Sequence, residues 1–196
     1  MKNLRLILFA TEREARATIK RLKATACKDY YLFSEGIIAI TGMGIHAAQA
    51  MCMRFALEVE EIWNLGIAGS FRSDIQWGEV VAISSVGKLV PHMEKLDTKS
   101  QEIASQALPL FSLTSSGYRL LSSDVPIHDL ELHGNLSDRG DLVDMEGYGI
   151  AYAAAFYKRP CYMWKVVSDF CSPEGRERIW DNLDTYSECL SISLSC

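Results

Sequence analysis

Three carboxyl side chains, Glu14, Glu146 and Asp169, each stand just after or at the end of an apolar segment that reads as a β-strand. Residues 4–10 are apolar apart from Arg5 and lead into Thr11-Glu12-Arg13-Glu14. Leu142-Val143-Asp144-Met145 leads into Glu146-Gly147, and Cys161-Tyr162-Met163-Trp164-Lys165-Val166-Val167 leads into Ser168-Asp169. In an open α/β sheet, ligands sit beyond the carboxyl ends of the strands. Carboxyl groups that face one small molecule there can give and take its protons. Taken singly, each acid has a plainer explanation: Glu14 as a helix cap, Glu146 as an acid that suits a helix start, Asp169 as the cap of a following turn. The chemical reading rests on all three meeting.

The elements that must position them follow from hydrophobic period and end signals. Residues 4–10 form the first strand. Thr11 with Glu14 three residues later makes a capping box, opening a helix over 12–23. Residues 30–33 and 37–41 read as a hairpin around Ser34-Glu35-Gly36. A helix is expected over 46–57, strands over 62–65, 79–86 and 119–121, and a helix over 100–107. Residues 126–140 read as irregular. Residues 147–156 form a helix between the strands that carry Glu146 and Asp169, and 173–195 a closing helix. Strands alternating with helices, several of them apolar throughout, predict a mixed, mostly parallel central β-sheet flanked by helices in one domain, residues 1–196.

Composition narrows the class. With 196 residues, 48% apolar and 23% charged, the chain can bury a sizeable core. Its net charge of −5 and lack of a long Lys/Arg cluster argue against nucleic acid as a partner. Charges follow the short first apolar run at once, and no run approaches the ~20 residues of a membrane span, so a cytoplasmic protein without membrane contact is expected. The six cysteines contain no Cys-x-x-Cys pair, and His128 and His133 lack the i, i+4 spacing of a helical zinc pair, so no metal is expected.

Two glycine-rich segments need weighing. Gly42-Met43-Gly44-Ile45-His46-Ala47 fits G-x-G-x-x-G/A after a strand and before a helix. Against a dinucleotide, it does not follow the first strand, and Glu58, Glu60 and Glu61 precede the next strand instead of ending it. A tight turn for close helix packing explains it better. Gly66-Ile67-Ala68-Gly69-Ser70 reads as a second turn at a strand's carboxyl end; its small residues would let a ligand approach the backbone, and a plain tight turn fits equally well. Lys165 is expected to pair with an acid that the sequence does not identify.

Five ordered segments together resemble the purine nucleoside phosphorylase/uridine phosphorylase superfamily. They are Phe9-Ala10-Thr11-Glu12-Arg13-Glu14, Gly42-Met43-Gly44, Asn64-Leu65-Gly66-Ile67-Ala68-Gly69, Val143-Asp144-Met145-Glu146-Gly147 and Val167-Ser168-Asp169. The resemblance is nearest to futalosine hydrolases and 5′-methylthioadenosine/S-adenosylhomocysteine nucleosidases, and it implies a nucleoside phosphorylase-like fold. It implies that Glu14 activates water, that Met145 packs on a ribose whose hydroxyls Glu146 holds, and that Asp169, oriented by Ser168, protonates the purine at N7. Ile67, Ala68, Gly69, Pro126 and Ile127 would line the substrate site, with Phe71 as a candidate to stack on the purine.

These roles suit the breaking of an N-glycosidic bond, which develops a ribosyl cation and a purine anion. Relatives that use phosphate carry a Gly-Asp-Pro-type loop where this chain has Ala10-Thr11-Glu12-Arg13-Glu14. A carboxylate there repels phosphate and favours hydrolysis. Gly66-Ile67-Ala68-Gly69, then a small residue and Phe71, looks more like futalosine hydrolases. The resemblance therefore implies release of purine from futalosine or 6-amino-6-deoxyfutalosine, as in menaquinone biosynthesis, by a homodimer that uses water and no cofactor. Cleavage of 5′-methylthioadenosine or S-adenosylhomocysteine is the alternative. A phosphorylase and a non-catalytic nucleoside-binding module remain further readings.

Overall fold

The structure is a computed structural model that describes residues 4–90, 97–100, 108–127, 136, 138–172 and 175–194. Of the sequence expectations, the helix over 100–107 beyond residue 100, His92, His128, His133 and most of 126–140 lie outside the described residues.

The chain runs β1 (Arg5–Phe9), α1 (Glu12–Arg21), β2 (Thr25–Cys27), β3 (Tyr30–Phe33), β4 (Gly36–Ile40), α2 (Ile45–Phe55), β5 (Glu61–Ser70), β6 (Val80–Lys88), β7 (Phe111–Ser112), β8 (Tyr118–Ser122), β9 (Leu142–Asp144), α3 (Gly147–Phe156), β10 (Cys161–Asp169) and α4 (Gly175–Ser193). Side chains alternate across β1. Leu6 and Leu8 join an apolar cluster with α2 and α3, while Ile7 and Phe9 join a second cluster with Leu183, Tyr186 and Leu190 of α4. A strand buried on both faces has no polar alternation, which is why β1 reads as one apolar run. Thr11 caps α1 with both capping-box bonds present, as expected.

The sheet is mixed, as expected: β1 pairs in parallel with β4 and β5, β5 with β10, and β8 with both β6 and β9. Antiparallel ladders join β2 to β3, β3 to β4, β5 to β9, β6 to β7 and β6 to β10. It is not open, however. Strand β5 pairs with both β9 and β10, and the path β10–β6–β8–β9–β5 closes into a barrel from which β1, β4, β3 and β2 extend.

The second glycine-rich segment is also corrected. Gly66 to Ser70 is not a turn but the second half of β5, held by β10 and β9. Long-range pairing overrides local glycine preference here. The expected strand over 62–65 is therefore half of the real one.

Helices α2 and α3 cross with almost no space between them. A Cβ at Gly149 would lie 2.1 Å from the Ile45 carbonyl oxygen and 3.1 Å from the Gln49 nitrogen. Both atoms are backbone, so neither can swing away. Gly149→Ala is therefore expected to force the helices apart and destabilise the fold by about 1–3 kcal/mol. Thermal unfolding of the variant reads this directly, and an unchanged midpoint would contradict so close a crossing.

Candidate active site

Glu14 is a helix cap whose side chain also borders the cavity described below. Its Oε2 accepts from the Thr11 N–H and the Thr11 hydroxyl, both at 2.8 Å, and its Oε1 accepts from the Ile67 N–H at 3.3 Å. The cap thus fixes the carboxylate instead of competing with its use. Gly66 is what allows it to sit against β5: a Cβ there would lie 3.5 Å from Glu14 Oε1 and 3.3 Å from Lys165 Nζ.

Glu146 arrives by a different route. Strand β9 runs antiparallel to β5 and is only three residues long. Its carboxyl end therefore points back along β5, toward that strand's amino end. Glu146 Oε1 accepts from the Gly44 N–H at the start of α2, at 2.9 Å. Gly44 has φ 104, a left-handed conformation that favours glycine. The Gly42-Met43-Gly44 turn thus presents a helix-terminal N–H to a carboxylate, a placement the helix dipole favours.

Lys165 and Asp144 lie beneath this. The ammonium is 2.8 Å from Asp144 Oδ2, and each side chain is only 1% exposed. Asp144 also accepts from the Ser122 hydroxyl and the Gly147 N–H. Asp144 is the partner that the sequence left open for Lys165. Satisfying the carboxylate on both oxygens is what makes such a buried pair tolerable, and removing one partner of a buried pair typically costs about 3–5 kcal/mol.

Asp169 sits on a bulge at the end of β10. Val167 pairs with Ala68 and Asp169 with Gly69, leaving Ser168 as the extra residue. A bulge re-aims neighbouring side chains, and here both Ser168 and Asp169 are buried. The Ser168 hydroxyl lies 2.9 Å from Asp169 Oδ2 and 3.2 Å from the Ala68 carbonyl. The Cys171 N–H donates to Asp169 Oδ1 at 2.6 Å.

One cavity of about 280 Å³ is bordered by Glu14, Met145, Glu146, Ser168 and Asp169, by Ile67, Ala68 and Gly69 of β5, and by Pro126 and Ile127. The structure brings all these sequence candidates together. It leaves out Phe71, which is buried in a separate cluster with Leu121, Ile127 and Val143 and does not border the cavity. Among the described residues, the aromatic that does is Trp180 of α4, with Ile179 and Leu183 beside it and Met43 and Val125 also on the wall. Sequence reasoning missed the α4 residues. Their spacing marks a helix face but not what that face covers.

Electrostatics set the protonation of this group. Burial pushes Glu146 up to about 7, helped by the negative charge of Asp144 and of Glu14, while Lys165 and the Gly44 N–H pull the other way. Burial also raises Glu14 above its ordinary value, opposed by Thr11 and Lys165. One buried ammonium does not neutralise the surrounding carboxylates, so this group of acids tends to hold a proton near neutrality. Among the described residues, no group of three or more His, Cys, Asp or Glu could hold a metal ion, and no helix is long and apolar enough to cross a membrane.

No protein-family model matches this chain, and no curated protein matches it in sequence. Solved structures do match in fold. A mutant futalosine hydrolase of Helicobacter pylori strain 26695 superimposes with a TM-score of 0.82 at 13% identity, over 98% of this chain and 97% of that one. A mutant nucleosidase of Helicobacter pylori with 5′-methylthioadenosine in its active site gives 0.83 at 14% identity, over 100% and 97%. The 5′-methylthioadenosine/S-adenosylhomocysteine nucleosidase of S. pneumoniae with a transition-state inhibitor gives 0.82 at 16% identity, over 97% and 96%. At these identities the likeness establishes a shared fold across nearly the whole of both chains.

The raised Glu146 carries a stability signature. Its folded value of about 7 exceeds the ordinary 4.5, so between those pH values the folded state keeps a proton that the unfolded chain has released. Stability from this group therefore falls as pH rises through that window and is level outside it. Urea unfolding of the ligand-free protein is expected to show the decline, on the order of 3 kcal/mol at most, given about 1.4 kcal/mol per pKa unit. Glu146→Gln should remove that part of the slope; a variant with the wild-type slope would assign it elsewhere.

Proposed function

We propose that this chain hydrolyses the N-glycosidic bond of a purine nucleoside. The observation that carries the reading is the meeting of Glu14, Glu146 and Asp169, far apart in sequence, around one cavity of about 280 Å³. In this reading Asp169 is the general acid that delivers a proton to purine N7 as the bond from C1′ to the base nitrogen breaks. The bonding pair leaves with the base. Glu146 accepts hydrogen bonds from the ribose hydroxyls, which favours positive charge growing on the sugar. Glu14 takes a proton from water as the water oxygen bonds to C1′. Its raised pKa makes it a stronger base for that step. Met145 packs on the ribose, and Ile67, Ala68, Gly69, Pro126 and Ile127 supply the remaining wall. Trp180 replaces Phe71 as the aromatic that can cover the bound nucleoside.

Hydrolysis is favoured over phosphate attack by where the nearby arginines go. Arg13 binds Asp184 and the Trp180 carbonyl, and Arg16 binds Asp184, so both are engaged at the exposed seam between α1 and α4. The substrate we propose is futalosine or 6-amino-6-deoxyfutalosine, on the strength of Gly66-Ile67-Ala68-Gly69 and of the futalosine hydrolase among the fold neighbours. The neighbour that holds 5′-methylthioadenosine supports that nucleoside as the second reading.

Incubation with futalosine, 6-amino-6-deoxyfutalosine, 5′-methylthioadenosine and S-adenosylhomocysteine, with and without phosphate, tests this by chromatography of the free base. Base release independent of phosphate is expected. Strict phosphate dependence would make the chain a phosphorylase, and binding without turnover a nucleoside-binding module. Asp169→Asn should lower kcat by about 10²–10⁴-fold, the usual worth of a positioned general acid, while nucleoside binding stays measurable. Glu14→Gln should lose turnover on the same scale through water attack. Wild-type rates in either variant would remove that residue from its role.

A further inference from the structure

The Ser168 carbonyl sits at the bulge of β10, next to the peptide that carries Asp169, and receives two side-chain donors from separate parts of the chain. Trp77 Nε1 donates to it at 3.1 Å from the segment before β6, and the Tyr186 hydroxyl donates to it at 3.1 Å from α4. The two rings meet edge to face with centroids 5.7 Å apart. Where a bulge interrupts the ladder, strand pairing no longer dictates the orientation of the peptide. Here the Trp77 and Tyr186 donors supply that orientation instead.

The surroundings hold both donors still. Gly78, next to Trp77, donates its N–H to the Val167 carbonyl at 2.9 Å, and the Val167 N–H donates to Glu79 at 3.0 Å. The segment bearing Trp77 is thus laced to the last regular residue of β10. Tyr186 is fully buried, and burial pushes its hydroxyl up to about 12, so it remains a donor at any working pH. Its neighbour on α4, Ser187, donates to the Glu14 carbonyl at 2.8 Å and accepts from the Ala17 N–H at 2.9 Å. Consecutive residues of one helix therefore grip the backbone beside Asp169 and the backbone of Glu14.

We infer that Trp77 and Tyr186 are positioning residues that act through the Ser168 carbonyl to aim the Ser168–Asp169 pair at the base, with α4 holding the spacing between acid and water-activating carboxylate. The inference rests on the hydrolase reading above. Neither side chain touches substrate; Trp77 and Tyr186 are not among the residues that border the cavity. Their loss should leave binding almost unchanged and degrade proton delivery, since a misplacement of about 1 Å from a mutation remote from the chemistry can cost about 10²-fold in rate.

Tyr186→Phe, Trp77→Phe and the double variant, assayed on whichever of futalosine or 5′-methylthioadenosine the wild type cleaves, test this. Each single variant keeps one donor on the carbonyl and is expected to lower kcat about threefold with KM within twofold. The double variant is expected to lose about 10²-fold in kcat, more than the two single losses combined, as two donors to one acceptor require. Trp77 is about half exposed, so its variant carries the test even if Tyr186→Phe fails to fold. Wild-type kcat in the double variant, or a loss confined to KM, overturns the positioning role. A wild type that cleaves none of the nucleosides overturns the hydrolase reading itself, which separates that failure from this one.

Discussion

The buried ammonium of Lys165 is what allows so many carboxylates to crowd into one region. Its Nζ pairs with Asp144 at 2.8 Å, and its charge opposes the burial-driven rise of both Glu14 and Glu146. Desolvating a carboxylate without a compensating charge or hydrogen bond is expensive, and several together repel one another. The chain meets this by giving each acid its own donors: the Thr11 and Ile67 groups for Glu14, Gly44 for Glu146, Ser122 and Gly147 for Asp144, and Cys171 for Asp169. What remains uncompensated is held on Glu146, the group pushed up to about 7. A site poised between protonation states is a site able to move protons.

The backbone geometry that makes this crowding possible comes from closure of the sheet. Strand β5 carries β10 on one side and β9 on the other, in opposite directions. That arrangement delivers Glu146 from one strand end and Ser168–Asp169 from another to the same stretch of β5, where Gly66 and Gly69 leave room. A Cβ at Gly69 would stand 2.7 Å from Cys171 Sγ and 3.2 Å from Asp169 Oδ1. Small residues in the middle of a strand, unfavourable by propensity, are here the condition for side chains from neighbouring strands to meet over it.

Much of this was legible in the residues. The capping box of Thr11 and Glu14, the hairpin of β3 and β4, the helix of α3 between β9 and β10, and the acids at the strand ends were all read correctly because each depends on neighbours a few positions away. Ten of the eleven site candidates border one cavity, while Phe71 does not. Phe71 follows directly on β5, and its side chain is buried in the cluster with Leu121 and Val143, a choice made by packing that no local signal records.

By itself, the sequence determined the amphipathic and doubly buried segments, the turn and cap chemistry, and the identity of the groups able to exchange protons, since these follow from periodicity and from contacts within a few residues. Only the tertiary structure decided that the sheet closes, that the glycine-rich segment is strand, that Asp144 is the partner of Lys165, and that Trp180 of α4 borders the cavity. The physical reason is separation along the chain. The Gly44 N–H and the Glu146 carboxylate meet across 102 residues, and Ser187 meets Glu14 across 173. Contacts of that span are fixed by which strands pair and which faces bury, and those are properties of the whole chain.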